Sequence, residues 1–295
     1  MSGGRLVLIV CIAQIAAQIG AYVWAALLPR LSKAWGLDYT EAGAITGAFY
    51  LAYALSAPVL VSLTDRMDAK RIYLLGATLI AVGHLAFGLW ADGFWTALIG
   101  RVLAGAGWAG VYMIGLKLLA DRVGATLMRR AVAWHAGGIG VAGAVSFLYG
   151  GLIADAYGWK MAFIISAIIA ALGCGIALVA APSAPLPKSD GPRPALLDFR
   201  PVLRNRAAMA FAITYGFHTW EMSVLRGWVV AFLVYVAGSG AAAAASWARP
   251  EAAAMALALI GTGVSMFGNE LSIRIGRRSV VLLATALSAA MAAAL

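Results

Sequence analysis

The chain consists of long apolar runs separated by short polar segments. A helix that crosses a bilayer needs about 20 mainly apolar residues at about 1.5 Å of rise per residue. Nine runs approach or exceed that length, at 5–28, 41–63, 72–91, 94–120, 134–155, 159–181, 207–236, 252–273 and 279–295. They are continuous, whereas the strands of a membrane barrel alternate apolar and polar positions. The pattern therefore predicts an all-α, polytopic membrane protein.

The composition agrees with this prediction. Of the 295 residues, 63% are apolar and 12% are charged, and the mean hydropathy is +0.89. A soluble domain is about half apolar and about a quarter charged. A water-soluble protein is excluded, and the lipid bilayer is the expected surroundings.

The longest polar segment, 182–206, contains most of the prolines of the chain. Proline-rich polar sequence forms semi-rigid linkers rather than packed core. It divides the chain into an N-terminal bundle of six spans (1–181), a linker (182–206) and a partial C-terminal bundle of three spans (207–295). The last run reaches Leu295 after 17 residues, so we expect further spans to be missing from this chain.

The basic residues predict the orientation. Of the 22 Lys and Arg residues, Arg101 and Arg226 lie well inside runs, and the other twenty lie in the short segments or within four residues of the end of a run. Four of these (Arg30, Lys33, Lys160 and Arg249) fall on one side of the predicted topology and sixteen on the other. Cytoplasmic loops carry the excess of positive charge, which predicts a cytoplasmic N-terminus in the inner (cytoplasmic) cell membrane. The net charge of +10 is thereby explained without nucleic-acid binding.

Enzymatic chemistry has no support in the sequence. Cys11 and Cys174 lie within apolar runs, as small buried residues do. Neither metal-ligand spacing nor a phosphate-binding loop is present. We expect no cofactor, no metal and no catalytic residues.

Recurring motifs follow the second and the eighth runs. Ser62–Arg71 (SLTDRMDAKR) is similar to the pattern G-x-x-x-D-R-x-G-R-[RK], with Asp68 in place of the second glycine and no glycine at Ser62, which lies next to the position of the first. The matching residues are Asp65, Arg66, Lys70 and Arg71. A second version lies at 268–278, GNELSIRIGRR, and it keeps Gly268, Gly276, Arg277 and Arg278. A motif repeated after the second span of each bundle is typical of paired structural repeats.

Together with Arg101-x-x-x-Gly105-x-Gly107 at the fourth run and the 150–163 junction GGLIADAYGWKMAF, these motifs resemble the major facilitator superfamily of transporters. The resemblance covers the whole chain and implies twelve spans, of which the first, fourth, seventh and tenth line the path. It also implies that the loop motifs gate the interface between the bundles, although they could be solvated turns that only fix the topology. Drug antiporters of the family carry Gly-Pro where Ser146-Phe147 stands here.

Polar residues on the path-lining spans are the candidate site. Charges inside spans are costly and mark functional positions; here they are Arg101, Glu221 and Arg226. The helical repeat places further residues on single faces: Gln14, Gln18 and Tyr22; Arg101, Trp108 and Tyr112; and Tyr215, His218 and Glu221. Each has a structural alternative, such as helix anchoring by Arg101, inter-helix hydrogen bonding by the glutamines or a polar core role for His218.

These observations predict a secondary transporter that moves a small solute, with protons, by alternating access between two bundles. Glu221 is the preferred proton carrier. The alternative is an inactive fragment or an interaction subunit of a membrane complex.

Overall fold

The computed structural model describes residues 2–183, 196–238 and 249–294, and in these ranges every regular element is an α-helix. The helices are α1 Gly3–Gln18, α2 Val23–Trp35, α3 Tyr39–Leu63, α4 Ala69–Trp90, α5 Phe94–Ala120, α6 Ala125–Tyr157, α7 Trp159–Ala180, α8 Arg200–Arg204, α9 Arg206–Gly238, α10 Pro250–Ile275 and α11 Arg277–Ala294. The all-α fold class predicted from the sequence is confirmed.

Eight helical segments of the described chain are long and apolar enough to cross a membrane. The first is α1 and α2 taken together, the next five are α3 to α7, and the last two are α9 and most of α10. The predicted ninth span, 279–295, coincides with α11, whose apolar part (Arg278–Met291) is shorter than a span. Whether α11 crosses the membrane stays a prediction, and Leu295 lies outside the described residues.

The predicted linker, 182–206, lies partly outside the described ranges, because these omit 184–195. The described part of it contains α8, a helix of five residues that no apolar run predicted. The division into two bundles joined by a linker stays a prediction.

Short connections hold neighbouring helices together at their ends. Gly36 ends α2 in the left-handed conformation, with φ of 64°, and Asp38 and Glu41 then form a capping box that starts α3. Gly158, with φ of 87°, is the single residue between α6 and α7. A left-handed backbone favours glycine, which explains why Gly158 stands in the 150–163 junction.

Glycines set the distances between α3, α4 and α5. A Cβ atom added to Gly76 of α4 would lie 2.7 Å from the carbonyl oxygen of Gly107 and from Cα of Gly110. A Cβ atom added to Gly105, on the opposite side of α5, would overlap the backbone of Phe49 in α3. These helices touch backbone to backbone, as small residues permit in membranes.

The first span is broken near its middle. Four turn residues, Ile19 to Tyr22, separate α1 from α2. A Cβ atom on Gly20 would lie 2.6 Å from the His84 ring and 2.7 Å from Ser166. The break therefore presses against α4 and α7 and places non-helical backbone inside the bundle, where only buried or path-lining irregular structure is tolerated.

The helices α9 and α10 pack on helices that precede residue 184. Gly227, Val229 and Val230 of α9 are buried, and α9 contacts α2. α10 lies along α6, with Thr262 against Gly140 and Glu251 against Gly151. The half of α9 that precedes Gly227 is largely exposed.

Candidate functional site

Tyr22 is the centre of a group of polar and aromatic side chains at the break in the first span. Its backbone N–H donates to Ser146 Oγ at 3.1 Å. Its ring stacks on Phe147 at a centroid distance of 5.1 Å and lies edge-on to Trp108 at 6.3 Å. Ser146 and Phe147, which replace the Gly-Pro pair of the drug antiporters, thus hold Tyr22 in place.

Arg101 reaches the same place from α5. Arg101 is 3% exposed, and its guanidinium carbon lies 4.1 Å from the centroid of the Phe49 ring. Nη1 donates to the carbonyl oxygen of Ala21 at 3.4 Å, while Nε is buried without a hydrogen-bond partner in the described chain. Arg101 therefore does bind a backbone carbonyl of the first span, at its break, as the anchoring alternative requires, but that bond uses one nitrogen only.

Arg226 brings a second guanidinium to Tyr22 from α9. Nη1 donates to the Tyr22 hydroxyl at 3.2 Å, and the guanidinium carbon lies 5.7 Å from the ring centroid. Within the described ranges neither Arg101 nor Arg226 forms a salt bridge. Four predicted site residues, Tyr22, Arg101, Trp108 and Arg226, are thus brought together, and they come from both parts of the chain.

Two residues of this site, Phe49 and Tyr50, were missed by the sequence analysis. Phe49 contacts Arg101 and lies 4.8 Å from Trp108 by ring centroids. The Tyr50 hydroxyl interacts electrostatically with Tyr22 and with both arginines. The signal was present, since Phe49 and Tyr53 recur at i and i+4 on α3 and face Trp108 together.

The two glutamines of the first span have different surroundings. Gln14 Nε2 donates to the carbonyl oxygen of His135 at 3.1 Å, and a ring nitrogen of His135 bonds the carbonyl oxygen of Tyr112 at 3.0 Å. These two hydrogen bonds join α1, α6 and α5. Gln14 therefore forms an inter-helix hydrogen bond, which is the structural alternative named for it above. Gln18 is 2% exposed, and neither its amide nitrogen nor its amide oxygen has a partner among the described residues.

The remaining predicted path residues lie away from the break. Tyr112 stacks on His135 at 5.5 Å and interacts with the Tyr215 side chain of α9. His218 and Glu221 are exposed on α9, and the described residues offer Glu221 no salt bridge. The structure does not join these two residues to the Tyr22 site.

The loop motif after α3 is fastened by the residue that departs from the pattern. Asp68 caps α4 by accepting from the Lys70 backbone N–H at 3.0 Å, and it pairs with Arg122 Nη2 at 3.4 Å. Lys70 Nζ donates to the carbonyl oxygen of Leu178 at the end of α7. The loop is tied to its own bundle, while Asp65, Arg66 and Arg71 are exposed.

The second loop motif lies at the end of α10. Gly276 ends this helix with φ of 87°, which explains a glycine there. Gly268 has open space where a Cβ atom would lie, and Arg278 is exposed. The side chain of Arg277 lies outside the described part of the structure.

A charge cluster at the opposite end of the bundle was not predicted. Asp155, near the end of α6, pairs with Arg30 of α2 and, at 2.5 Å, with Arg249, which precedes α10. Arg30 also lies 3.5 Å from Glu251 of α10, which is 6% exposed. We call these four residues the Arg30 cluster. It links α10 to both α2 and α6 at this end.

The fold is a bundle of membrane-length helices, and its first span is broken beside two arginines from separate parts of the chain. These features define a polytopic membrane protein with an enclosed polar site. The sequence matches the Major Facilitator Superfamily over residues 10–295, and the chain belongs to that family. The predicted family is confirmed, and its members are transporters rather than enzymes.

Two relatives match about three quarters of the chain. The MFS-type transporter YbcL of Bacillus subtilis (strain 168) is 28% identical over 218 residues, which are 74% of this chain and 54% of YbcL. Protein spinster homolog 3 of Danio rerio is 23% identical over 235 residues, 77% of this chain and 47% of that protein. The chain spans about half the length of these relatives.

Solved structures show the same fold. A D-xylose-proton symporter superposes with a TM-score of 0.56 at 11% identity, covering 92% of this chain and 68% of that one. The peptide transporter POT in complex with sulfate superposes with a TM-score of 0.53 at 15% identity, covering 75% and 46%.

Proposed function

We propose that the protein is a secondary active transporter that moves a small solute by alternating access between its two bundles. The observation that carries the proposal is the broken first span, whose backbone lies beside Arg101 of one bundle and Arg226 of the other. Transporters bind solutes near the bilayer midplane, at the interface between repeats and at breaks in helices. A solute held between the two arginines contacts both bundles, so their relative movement changes the side from which it is reached.

The Arg30 cluster supports the proposal that the path is closed at the end of the bundle where the cluster lies. Four charges from α2, α6, α10 and the residue before α10 meet there, so opening that end requires these pairs to separate. The exposed Asp65 and Arg66 lie at the other end, where we propose that the loop motif gates the bundles. The charge distribution supports the proposal that this end faces the cytoplasm and that the protein lies in the inner membrane of the cell.

Proton coupling is the finer part of the proposal, with Glu221 as the carrier. The other acidic residues of the described ranges lie near helix ends or in loops, whereas Glu221 lies well inside α9. A carboxylate inside a span is a typical proton site. One structurally similar protein is named as a proton symporter, which supports the same proposal here.

Glu221→Gln is expected to abolish proton-driven accumulation, because the amide is isosteric but does not exchange a proton. The measurement is uptake of labelled xylose, dialanine, choline and hippurate into proteoliposomes with and without an inward proton gradient. Downhill exchange of whichever solute moves is expected to continue in the variant. Accumulation equal to that of the unmodified chain would exclude Glu221 as the carrier.

The same assay separates transport from the alternative of an inactive fragment or interaction subunit. Protein-free liposomes and the Arg130→Met variant, at an exposed position, are the controls. Movement of one solute above the protein-free level is expected. If none moves through this chain but one moves through a version extended by further spans, the chain alone is a fragment.

A further inference from the structure

The site at the break has an excess of positive charge and of hydrogen-bond donors. Arg101 and Arg226 both lie against it, and the described chain supplies no carboxylate within salt-bridge distance of either. Glu221 is five residues from Arg226 on the same helix, which places the two about 140° apart. The two cations are therefore left to interact with aromatic rings, a carbonyl oxygen and a hydroxyl.

Several donors at this site are buried and unused. Arg101 Nε and Trp108 Nε1 have no hydrogen-bond partner among the described residues, and neither has the Gln18 amide group. A buried donor without an acceptor costs about 1–3 kcal/mol, and more when it is charged. A ligand that supplies acceptor oxygens and a negative charge would remove this cost for several groups at once.

The walls around these donors are flat and apolar. Tyr22, Phe49, Trp108 and Phe147 form a connected set of ring contacts. Such walls suit an aromatic or other apolar body. They offer no carboxylate to an ammonium group, and the two guanidinium groups favour a charged acceptor over the neutral hydroxyls of a sugar.

We infer that the site recognises a small organic anion, a carboxylate attached to an aromatic or apolar body. The carboxylate would lie between Arg101 and Arg226, since a guanidinium pairs with carboxylates through two parallel hydrogen bonds. The body would lie against the rings of Phe49 and Trp108. This inference rests on the proposed function for its biological meaning, but its test requires binding only.

Benzoate, benzamide and benzamidine form a matched series, because the three are planar, similar in size and differ in charge. We expect benzoate to raise the melting temperature of the purified 295-residue chain in detergent, as a ligand of the folded state does, and the other two to leave it unchanged. Sulfate, an anion without an apolar body, is expected to have no effect. Stabilisation by benzamide, benzamidine or sulfate equal to that by benzoate would overturn the inference, as would no stabilisation by benzoate.

Arg226→Met provides the test at the residue level, since Arg226 is half-buried and makes one described hydrogen bond, to Tyr22. We expect it to weaken benzoate binding by about tenfold or more, the effect of losing one charge-assisted interaction. Arg226→Lys should recover part of the affinity, and Arg130→Met should keep all of it. Unchanged affinity in Arg226→Met would overturn the inference.

The proposed function fails separately. If the uptake assay finds a neutral or cationic solute moving while benzoate does not bind, transport stands and the anion site is wrong. If benzoate binds through Arg226 while no solute moves, the anion site stands and transport by this chain is wrong.

Discussion

Gly105→Ala is expected to lower the melting temperature of the purified protein by roughly 5 °C or more, which corresponds to the 1–3 kcal/mol typical of overpacking. A Cβ atom at this position would overlap the backbone carbonyl oxygen of Phe49. A backbone atom cannot be moved by changing a rotamer, so α3 and α5 must separate. That separation displaces Phe49, which contacts both Arg101 and Trp108, and solute binding should weaken as well.

Gly175→Ala is the matched control, because it makes the same change inside a helix. Nothing lies within 4 Å of a Cβ atom added to Gly175, and alanine has the higher helix propensity. Thermal unfolding followed by fluorescence in one detergent should show a stable Gly175→Ala and a destabilised Gly105→Ala. Equal melting temperatures for the two variants would contradict the backbone contact between α3 and α5.

Arg101→Met is expected to abolish transport while leaving the melting temperature within about 2 °C of the unmodified chain. A buried charge is costly, and replacing buried ionic groups by apolar residues of similar volume is often neutral or stabilising. Methionine retains the length that packs on Phe49 but has no donor for Ala21 or for a solute. The loss of function should therefore occur in a folded protein.

This combination distinguishes a solute-binding Arg101 from one that only anchors helices. An anchoring residue would lower stability and activity together when it is removed. Arg101→Lys should retain little activity, because an ammonium group has neither the planar face that lies over Phe49 nor the two-pronged geometry. Arg130→Met, which removes an exposed arginine, should transport normally. Retained transport in Arg101→Met would contradict the assigned role.

The sequence predicted the spans and part of the site because both depend on local periodicity. Continuous apolar runs located the membrane helices, and the helical repeat placed Arg101 and Trp108 on one face. Arg226 and Tyr22 are separated by 204 positions in the sequence. Their contact depends on how α9 packs against α2. Periodicity contains no information about such a contact.

The break in the first span was not predicted for a related reason. Ile19 to Tyr22 contain no proline, and Gly20 alone does not end a helix. The contacts at the break come from residues far away in the chain: Ser146 accepts from the Tyr22 N–H, and Arg101 donates to the Ala21 carbonyl. The Arg30 cluster was missed because its four charges come from separate parts of the chain, and Asp68, which stands where the motif has a glycine, caps α4.

The central claim is that the region around Tyr22 and the two arginines is reached alternately from both sides of the membrane. The most direct measurement places a cysteine at Tyr50, which is half-buried beside both arginines, after Cys11 and Cys174 are replaced by alanine. A membrane-impermeant thiol reagent is then added to sealed vesicles of each orientation, with Tyr39→Cys, an exposed position at the start of α3, as the control for labelling outside the site. We predict labelling of Cys at position 50 from both sides, slowed by benzoate, and no effect of benzoate at position 39. Labelling from one side only, or from neither, would contradict alternating access at this site.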